Sequence, residues 1–349
     1  VRPILNPAKQ AILRTNVDRA ADNILLAFSF ALIALAWWHG DASIEAGIVS
    51  CSIVVGASIL IPFLRDRTQS RTLYILYILY IMPSLFLVYP TAIALAKGLH
   101  SQDFDPKLIA IDRFLFGGKD PTLWLTVHVH PPPFLVDVLQ ACYSSHYLFP
   151  LILGIELWLT KRFYELESYR MIMVYGAIFS FVGNMLVPAI GPRITLHEFA
   201  KLQTELPGIW VTNALRTMIN TGEGLRATMT SAEAMRTVYR DAFPSGHTMF
   251  TVMTILVAFR YKVRVRWIIA ILGTVLICAT MILHYHYVID VLAGMLCAVF
   301  VVWSAPVVAR TLGSLKLWKG RDTATRHVRL KPTSFSTRST PNSTSPTHK

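Results

Sequence analysis

Charge is scarce in this chain. Only 15% of its 349 residues are Asp, Glu, Lys or Arg, against about 25% in a soluble domain. That shortage points to lipid rather than water as the main solvent. Cysteine is scarce too. Cys51, Cys142, Cys278 and Cys297 all fall inside apolar runs, which argues against a disulfide framework and for small core residues. No convincing small-residue cleavage site follows the first apolar run, so that run reads as a retained helix and not as a removed leader. There is no internal repeat. The net charge of +13 forms no continuous stripe. Its bases sit in short segments between apolar runs, and nucleic acid is not an expected partner.

What the chain has in excess is apolar sequence. Hydrophobic residues make up 54% of it, and the mean hydropathy is +0.48. A bilayer core takes about 20 apolar residues per helix. Runs of that kind lie near 21–38, 46–64, 72–96, 134–159, 169–190, 246–260, 266–283 and 289–309. The expected fold is an all-α integral membrane protein with about eight transmembrane helices.

The connections alternate in charge. Arg2, Lys9, Arg14 and Arg19 precede the first run, and Arg65, Arg67 and Arg71 follow the second. Lys161, Arg162 and Arg170 surround the turn after the fourth run, and Arg260, Lys262, Arg264 and Arg266 fill the turn after the sixth. Segments 40–45 and 284–288 carry no Lys or Arg, and 97–133 balances its bases with Asp103, Asp105, Asp112 and Asp120. The positive-inside rule then puts both termini in the cytoplasm, with an inner (plasma) membrane as the expected location. Segments 40–45, 97–133, 191–245 and 284–288 face the other side. Three units are expected: 1–71, a cytoplasmic segment and two extra helices; 72–309, a membrane domain; and 310–349, a basic Ser/Thr/Pro-rich tail without stable structure. The stretch Ile111–Gly118 is amphipathic and reads as a short interfacial helix.

Three fragments carry chemistry. Pro244-Ser245-Gly246-His247 opens the sixth run. Its serine can cap the helix, its glycine admits a ligand close to the backbone, and the free amides attract an anion. His247 can protonate a leaving oxygen there. The plainer reading is a Ser-capped helix with an interfacial histidine. His286-x3-Asp290 opens the eighth run, 39 residues after His247. The i,i+4 spacing puts both on one face, where Asp290 can hold one ring nitrogen and leave the other free to attack. The plainer reading is an acid favoured by a helix N-terminus. His284 adds a His-x-His pattern, but no cysteine or further carboxylate is near in sequence, so no metal is expected. The third fragment is Gly183–Arg193. Arg193 is either a clamp for phosphate oxygens or an ordinary interfacial arginine.

The expected topology brings all three fragments to one face of the membrane, where a proton donor, an oriented nucleophile and an anion clamp converge. In the fourth run, Tyr143-Ser144-Ser145-His146-Tyr147 is polar for mid-membrane and lines a cleft or bonds a neighbouring helix. Asp137 and Glu156 lie nearer the ends of that run and read as interfacial.

The constellation resembles the type 2 phosphatidic acid phosphatase superfamily, over roughly residues 72–309. That family shows Lys-x6-Arg-Pro, Pro-Ser-Gly-His and Ser-Arg-x5-His-x3-Asp. The second signature matches fully at Pro244–His247, and the third matches at His286 and Asp290. Ala279 and Thr280 stand where its Ser and Arg are expected. Arg193 aligns with the first signature, but Leu186 takes the lysine position and Ile194 the proline position. These departures, with His284-Tyr285-His286-Tyr287-Val288-Ile289-Asp290, are similar to the branch of inositol phosphorylceramide synthase and sphingomyelin synthase. Arg226, Arg236, Arg240 or His284 would then replace the two missing cations.

The resemblance implies a six-helix phosphatase-like core and no cofactor. It implies that His286 is the nucleophile, His247 the proton donor and Asp290 the orienting acid. Arg193, Ser245 and the backbone of Gly246 would bind the phosphate. The substrate would be a phospholipid or lipid phosphate, and the reaction hydrolysis or transfer of an inositol-phosphate-type headgroup to a lipid alcohol, with a small polyol such as inositol as the other acceptor. The length of 191–245 mildly favours transfer over hydrolysis. Two other readings stay open from sequence: a non-catalytic relative, and an anion or lipid transporter that uses the same polar cluster for binding. Oligomeric state is not legible.

Overall fold

The computed structural model describes residues 7–40, 45–68 and 70–315. The basic tail beyond 315, the N-terminal residues 1–6 and most of the 40–45 connection lie outside the described residues. Among the described residues the chain is helical without strands. In order the helices are α1 (Pro7–His39), α2 (Glu45–Arg67), α3 (Arg71–Leu79), α4 (Ile81–Leu99), α5 (Asp105–Leu115), α6 (Pro121–His128), α7 (Pro133–Ser144), α8 (Leu148–Leu159) and α9 (Phe163–Leu186). They continue as α10 (Pro192–Thr195), α11 (Leu202–Glu205), α12 (Thr212–Gly222), α13 (Ser231–Thr237), α14 (Gly246–Arg260), α15 (Arg266–Ile282) and α16 (Val288–Gly313).

Among the described residues, five segments are long and apolar enough to cross a membrane: Arg19–His39, Ala46–Arg67, Thr72–Leu99, Phe163–Leu186 and Val288–Gly313. The pair α7 and α8, bent by 56°, makes a sixth if it counts as one span. The expectation of eight is not met by this measure. The segments at 246–260 and 266–282 are helices of 15 and 17 residues, short of the ~20 that a full crossing takes. They are short because the chain leaves the helix at 242–245 and again at 283–287 to build loops.

Two runs that read as continuous are broken, and proline explains both. Proline has no N–H and its ring clashes with the carbonyl four residues earlier. Pro83 therefore weakens the helix at Leu79, where α3 ends. Pro150 does the same at His146, inside the α7–α8 bend. Ser145 sharpens that bend by donating its hydroxyl to Cys142 O at 2.8 Å, a local bond that competes with the helical ladder.

The main core lies where α1, α2, α4, α9, α14 and α16 pack, with Leu25, Leu32, Val88, Leu95, Met249, Met253 and Val301 buried in it. Outward-facing apolar residues such as Trp38, Leu159, Leu296 and Trp303 stay exposed, as a lipid-facing surface requires. A buried ion pair ties α1 to α9: Arg170 donates to Asp22 at 3.2 Å, and Asp22 also accepts from Tyr77 and Tyr80.

Three of the four connections expected on one side, 97–133, 191–245 and 284–288, meet at one end. Phe104 N donates to Pro188 O at 2.8 Å, and Lys97 donates to Arg236 O at 2.7 Å. Asp105 accepts from Ile190 N, Gly191 N and the Tyr287 hydroxyl, and Asp112 accepts from Val288 N and Ile289 N. At the other end, Glu156 receives the amides of Arg264 and Val265. Segment 191–245 folds over its own small core of Ile194, Phe199, Leu202, Leu225, Ala234 and Val238.

The helices α14 and α16 approach closely at Gly294. A Cβ added there would stand 2.7 Å from Ser245 O and 3.2 Å from Thr248 Cβ. Small residues at such contacts let membrane helices touch backbone to backbone. Gly294→Ala is expected to push the two helices apart and to cost about 1–3 kcal/mol, read as a lower unfolding temperature of the purified protein. An unchanged unfolding temperature would contradict this packing.

Candidate active site

The loop before α14 is held from three directions. Ala242 N donates to Ala189 O at 3.0 Å, and Ser245 N donates to Asp290 O at 3.1 Å. The Asn184 amide, with its nitrogen facing the carbonyls, donates to Phe243 O at 2.9 Å. Ser245 caps α14 by accepting from Thr248 N at 3.3 Å and is fully buried. Its hydroxyl thus serves the helix terminus. A Cβ on Gly246 would meet only Ser180 Oγ at 3.5 Å, an ordinary contact. Helix packing does not demand glycine at this position.

The second loop ends α15. His284 takes a left-handed φ of 63°, the conformation that commonly closes a helix. Tyr285 N and His286 N then both donate to Thr280 O, at 2.9 and 3.1 Å. Gly191, at φ 97°, passes so near Tyr285 O that a Cβ would stand 2.8 Å from it. In this way the end of the Gly183–Arg193 fragment touches the turn that carries His286.

These loops bring the two histidines together. The ring centroids of His247 and His286 are 5.7 Å apart. His286 Nδ1 lies 3.0 Å from Ala242 O and 3.5 Å from Asp290 Oδ2. A carbonyl can only accept, so Nδ1 carries the proton and Nε2 is left with its lone pair. Asp290 Oδ2 makes its shorter bond to Tyr287 N at 2.9 Å, and Oδ1 has no hydrogen-bond partner among the described residues. Asp290 is completely buried. Burial holds the His286 pKa down to about 4, and the neighbouring charges of Asp241, Arg193 and Glu223 add smaller effects of mixed sign.

Aromatic rings wall the site. Tyr143 stacks on His247 at 4.3 Å and on Tyr285 at 4.0 Å. His146, at the α7–α8 bend, lies 4.2 Å from His247. Arg193 sits over the Tyr285 ring at 4.9 Å and is 8% exposed. It donates to Asn220 at 3.1 Å and pairs with Glu223 at 2.5 Å. A small pocket is lined by Arg193, Gln203, Arg216, Asn220, Tyr285 and apolar neighbours.

The cationic replacements expected from sequence fare differently. Arg240 is engaged by Asp103 and by the carbonyls of Met235 and Val238. Arg226 and Arg236 are exposed. His284 is buried and stacks on His197 at 4.0 Å, and burial pushes its pKa down to about 3. The cation that joins Arg193 is Arg216, which the motifs did not mark. Arg216, Asn220 and Glu223 recur at helical spacing on one side of α12, and that period was the available signal. Asp137, read as interfacial, is buried instead. It accepts the amides of Ile209, Trp210, Val211 and Thr212 and so anchors the start of α12. Among the described residues no group of three or more His, Cys, Asp or Glu is placed to hold a metal ion.

A histidine pair, an orienting carbonyl with a carboxylate behind it, a helix N-terminus and two guanidiniums thus line one polar end of an apolar bundle. No curated protein and no solved structure matches the chain. The family model described as the PAP2 superfamily matches residues 106–304, which is more than half of the chain and contains every one of these loops. The chain therefore belongs to the PAP2 superfamily, whose members are generally phosphoric-ester hydrolases or phosphotransferases.

Proposed function

We propose that this protein is a membrane-embedded enzyme that moves a phosphoryl or phospho-headgroup from a lipid through a covalent histidine intermediate. The observation that carries this reading is the facing pair of His247 and His286, with the His286 Nδ1 proton held by Ala242 O. The free His286 Nε2 attacks phosphorus, and the bond from phosphorus to the leaving alkoxide breaks. His247 gives its proton to that alkoxide. Water or an alcohol then attacks the phosphohistidine, the bond from phosphorus to His286 Nε2 breaks, and the attacking group's proton passes to His247, which restores the His286 imidazole and the His247 imidazolium. Asp290 stands behind His286 and supports the charge that grows on the ring.

Electrostatic stabilisation falls to Arg193, Arg216 and the α14 N-terminus. Arg193 and Arg216 line one pocket, and the α14 N-terminus carries the His247 loop; together they would meet the charge that gathers on the equatorial oxygens. Gly246 fits this role because only a ligand's close approach gives a reason for its missing side chain. Asp105 and Asp112 hold the loops in register before substrate arrives, so little reorganisation is needed during reaction.

The site opens toward the non-cytoplasmic side of a plasma (inner) membrane, with both termini cytoplasmic. The charge alternation of the connections supports this orientation. Segment 191–245 roofs the cleft with a folded layer, which favours transfer to an alcohol, of the inositol-phosphate type, over simple hydrolysis. Labelled phospholipid incubated with and without inositol separates the two. An inositol-phosphate lipid marks a transferase, and free phosphate alone marks a phosphatase.

Two outcomes are expected. His286→Ala should abolish turnover of a lipid phosphate, and His247→Ala should lower kcat by about 10²–10⁴, both with unchanged folding by circular dichroism. Full activity in either variant would refute the assigned roles. The acid limb of kcat/KM should fall near pH 4, because His286 must be neutral to attack and burial holds its pKa at about 4. Activity is lost as pH drops through that value. An acid limb near pH 6.5 would show an exposed nucleophile instead.

A further inference from the structure

Segment 191–245 leaves the bundle, yet one stretch of it lacks the charge of a water-facing surface. Between Glu205 and Glu223 the one charged residue is Arg216, and Arg216 is buried. A soluble surface carries roughly one charge in every three or four residues. The large side chains exposed here are apolar instead: Ile209, Trp210, Val211 and Met218. Trp210 is 78% exposed and Met218 58%.

Helix α12 is turned inside out relative to a soluble amphipathic helix. Thr212, Arg216 and Asn220 share one side and are buried. Val211, Leu215 and Met218 share the adjoining side, where Leu215 is half-buried and the other two are exposed. A soluble helix hides its apolar stripe and shows its polar one. The polar side of α12 points inward for a reason, since Arg216 and Asn220 line the pocket with Arg193. Nothing among the described residues covers the apolar side at Val211 and Met218.

Asp137 fixes the level of this stripe along the bundle. Its carboxylate accepts Ile209 N, Trp210 N and Thr212 N at 2.9 Å, Val211 N at 3.1 Å and the Thr212 hydroxyl at 2.6 Å. A Cβ on Gly208 would stand 2.5 Å from Asp137 Oδ1, so the approach requires glycine there. Asp137 lies one turn into α7, about 6 Å along the helix from its start. With α8, α7 forms the bent pair that counts as a membrane span. The turn at 209–212 therefore lies beside the first turns of a membrane-crossing pair and not above them. Phe134 and Val138, which flank Asp137 on α7, are exposed too, and the lipid-facing surface of α7 runs on to α12. Tryptophan favours headgroup level, and an interfacial helix sinks its apolar face about 5–10 Å into the boundary between headgroups and acyl chains.

We propose that α12 and the turn before it are a membrane-interface anchor: Ile209, Trp210, Val211 and Met218 are seated in the lipid leaflet beside α7, at headgroup depth. The layer over the site is thereby held against the bilayer. Leaflet and pocket meet on adjoining sides of one helix. The anchor goes beyond the proposed function. It rests on the membrane-spanning bundle and not on the chemistry of the histidine pair.

The test uses the full chain in phosphatidylcholine nanodiscs, with Met218→benzoylphenylalanine and Trp210→benzoylphenylalanine as separate photoreactive variants. The same photoprobe at two reference positions brackets the result. Leu296 on α16 is 72% exposed on the lipid-facing bundle, and Lys201 pairs with Glu198 where both are exposed. After illumination, peptide mass spectrometry counts phosphatidylcholine adducts. Adducts at 218 and 210 should approach the yield at 296 and exceed that at 201 by about tenfold or more. Yields at both positions no higher than at 201 overturn the proposal. A cross-linked dimer in place of the lipid adduct also overturns it, because the face would then be a contact between copies of this chain. If the probe at 210 disturbs the fold, the result at 218 decides, since no hydrogen bond of the Asp137 anchor involves Met218. No turnover is read, so the anchor and the histidine chemistry stand or fall separately.

Discussion

Backbone amides bound by buried carboxylates of distant segments hold this site together. Asp105 gathers Ile190 N, Gly191 N and the Tyr287 hydroxyl, Asp112 gathers the first amides of α16, and Asp137 gathers four amides at the start of α12. Each of these acids is buried. A buried carboxylate is tolerated only when donors surround it, and charge-assisted bonds to amides are among the strongest available. Burial pushes the carboxyl pKa of Asp105 and Asp112 up, and the amides pull it back. The result is a set of cross-links without covalent bonds. They fix where the His286 turn, the Arg193 loop and α12 lie relative to one another.

The rest of the site follows from that framework. With the loops pinned, Ala242 O meets His286 Nδ1, and the Pro244–His247 turn sits against α16 at Gly294. Tyr143 can then stack between His247 and Tyr285. The apolar bundle below supplies rigidity and a low dielectric, and the folded segment 191–245 supplies the second guanidinium and its opposing acid.

Much of this was legible in the sequence, for definite reasons. Pro244–His247 and His286–Asp290 are local patterns, and alternation of basic turns placed their helices with the same end together. The meeting of 97–133, 191–245 and 284–288 follows from that alternation. What the sequence concealed is non-local. Asp112 reads as one more acid in a balanced connector until α16 is brought to it, and Asp137 reads as interfacial until 209–212 folds back. Arg216 and Glu223 lacked a motif, although their helical spacing on α12 was visible. The α7–α8 bend was signalled by Pro150 but hidden by the hydropathy of the run around it. Arg240, a reasonable phosphate ligand from its position, is instead held by Asp103 and by backbone carbonyls.

The central claim is that His286 becomes covalently linked to phosphorus with His247 beside it. Rapid acid- and base-quenched turnover of a lipid labelled in its phosphate, followed by peptide mass spectrometry, addresses it directly. The account predicts an acid-labile, base-stable adduct on the peptide that contains His286. Label on His247, or steady turnover with no protein-bound phosphorus at any time, would contradict it.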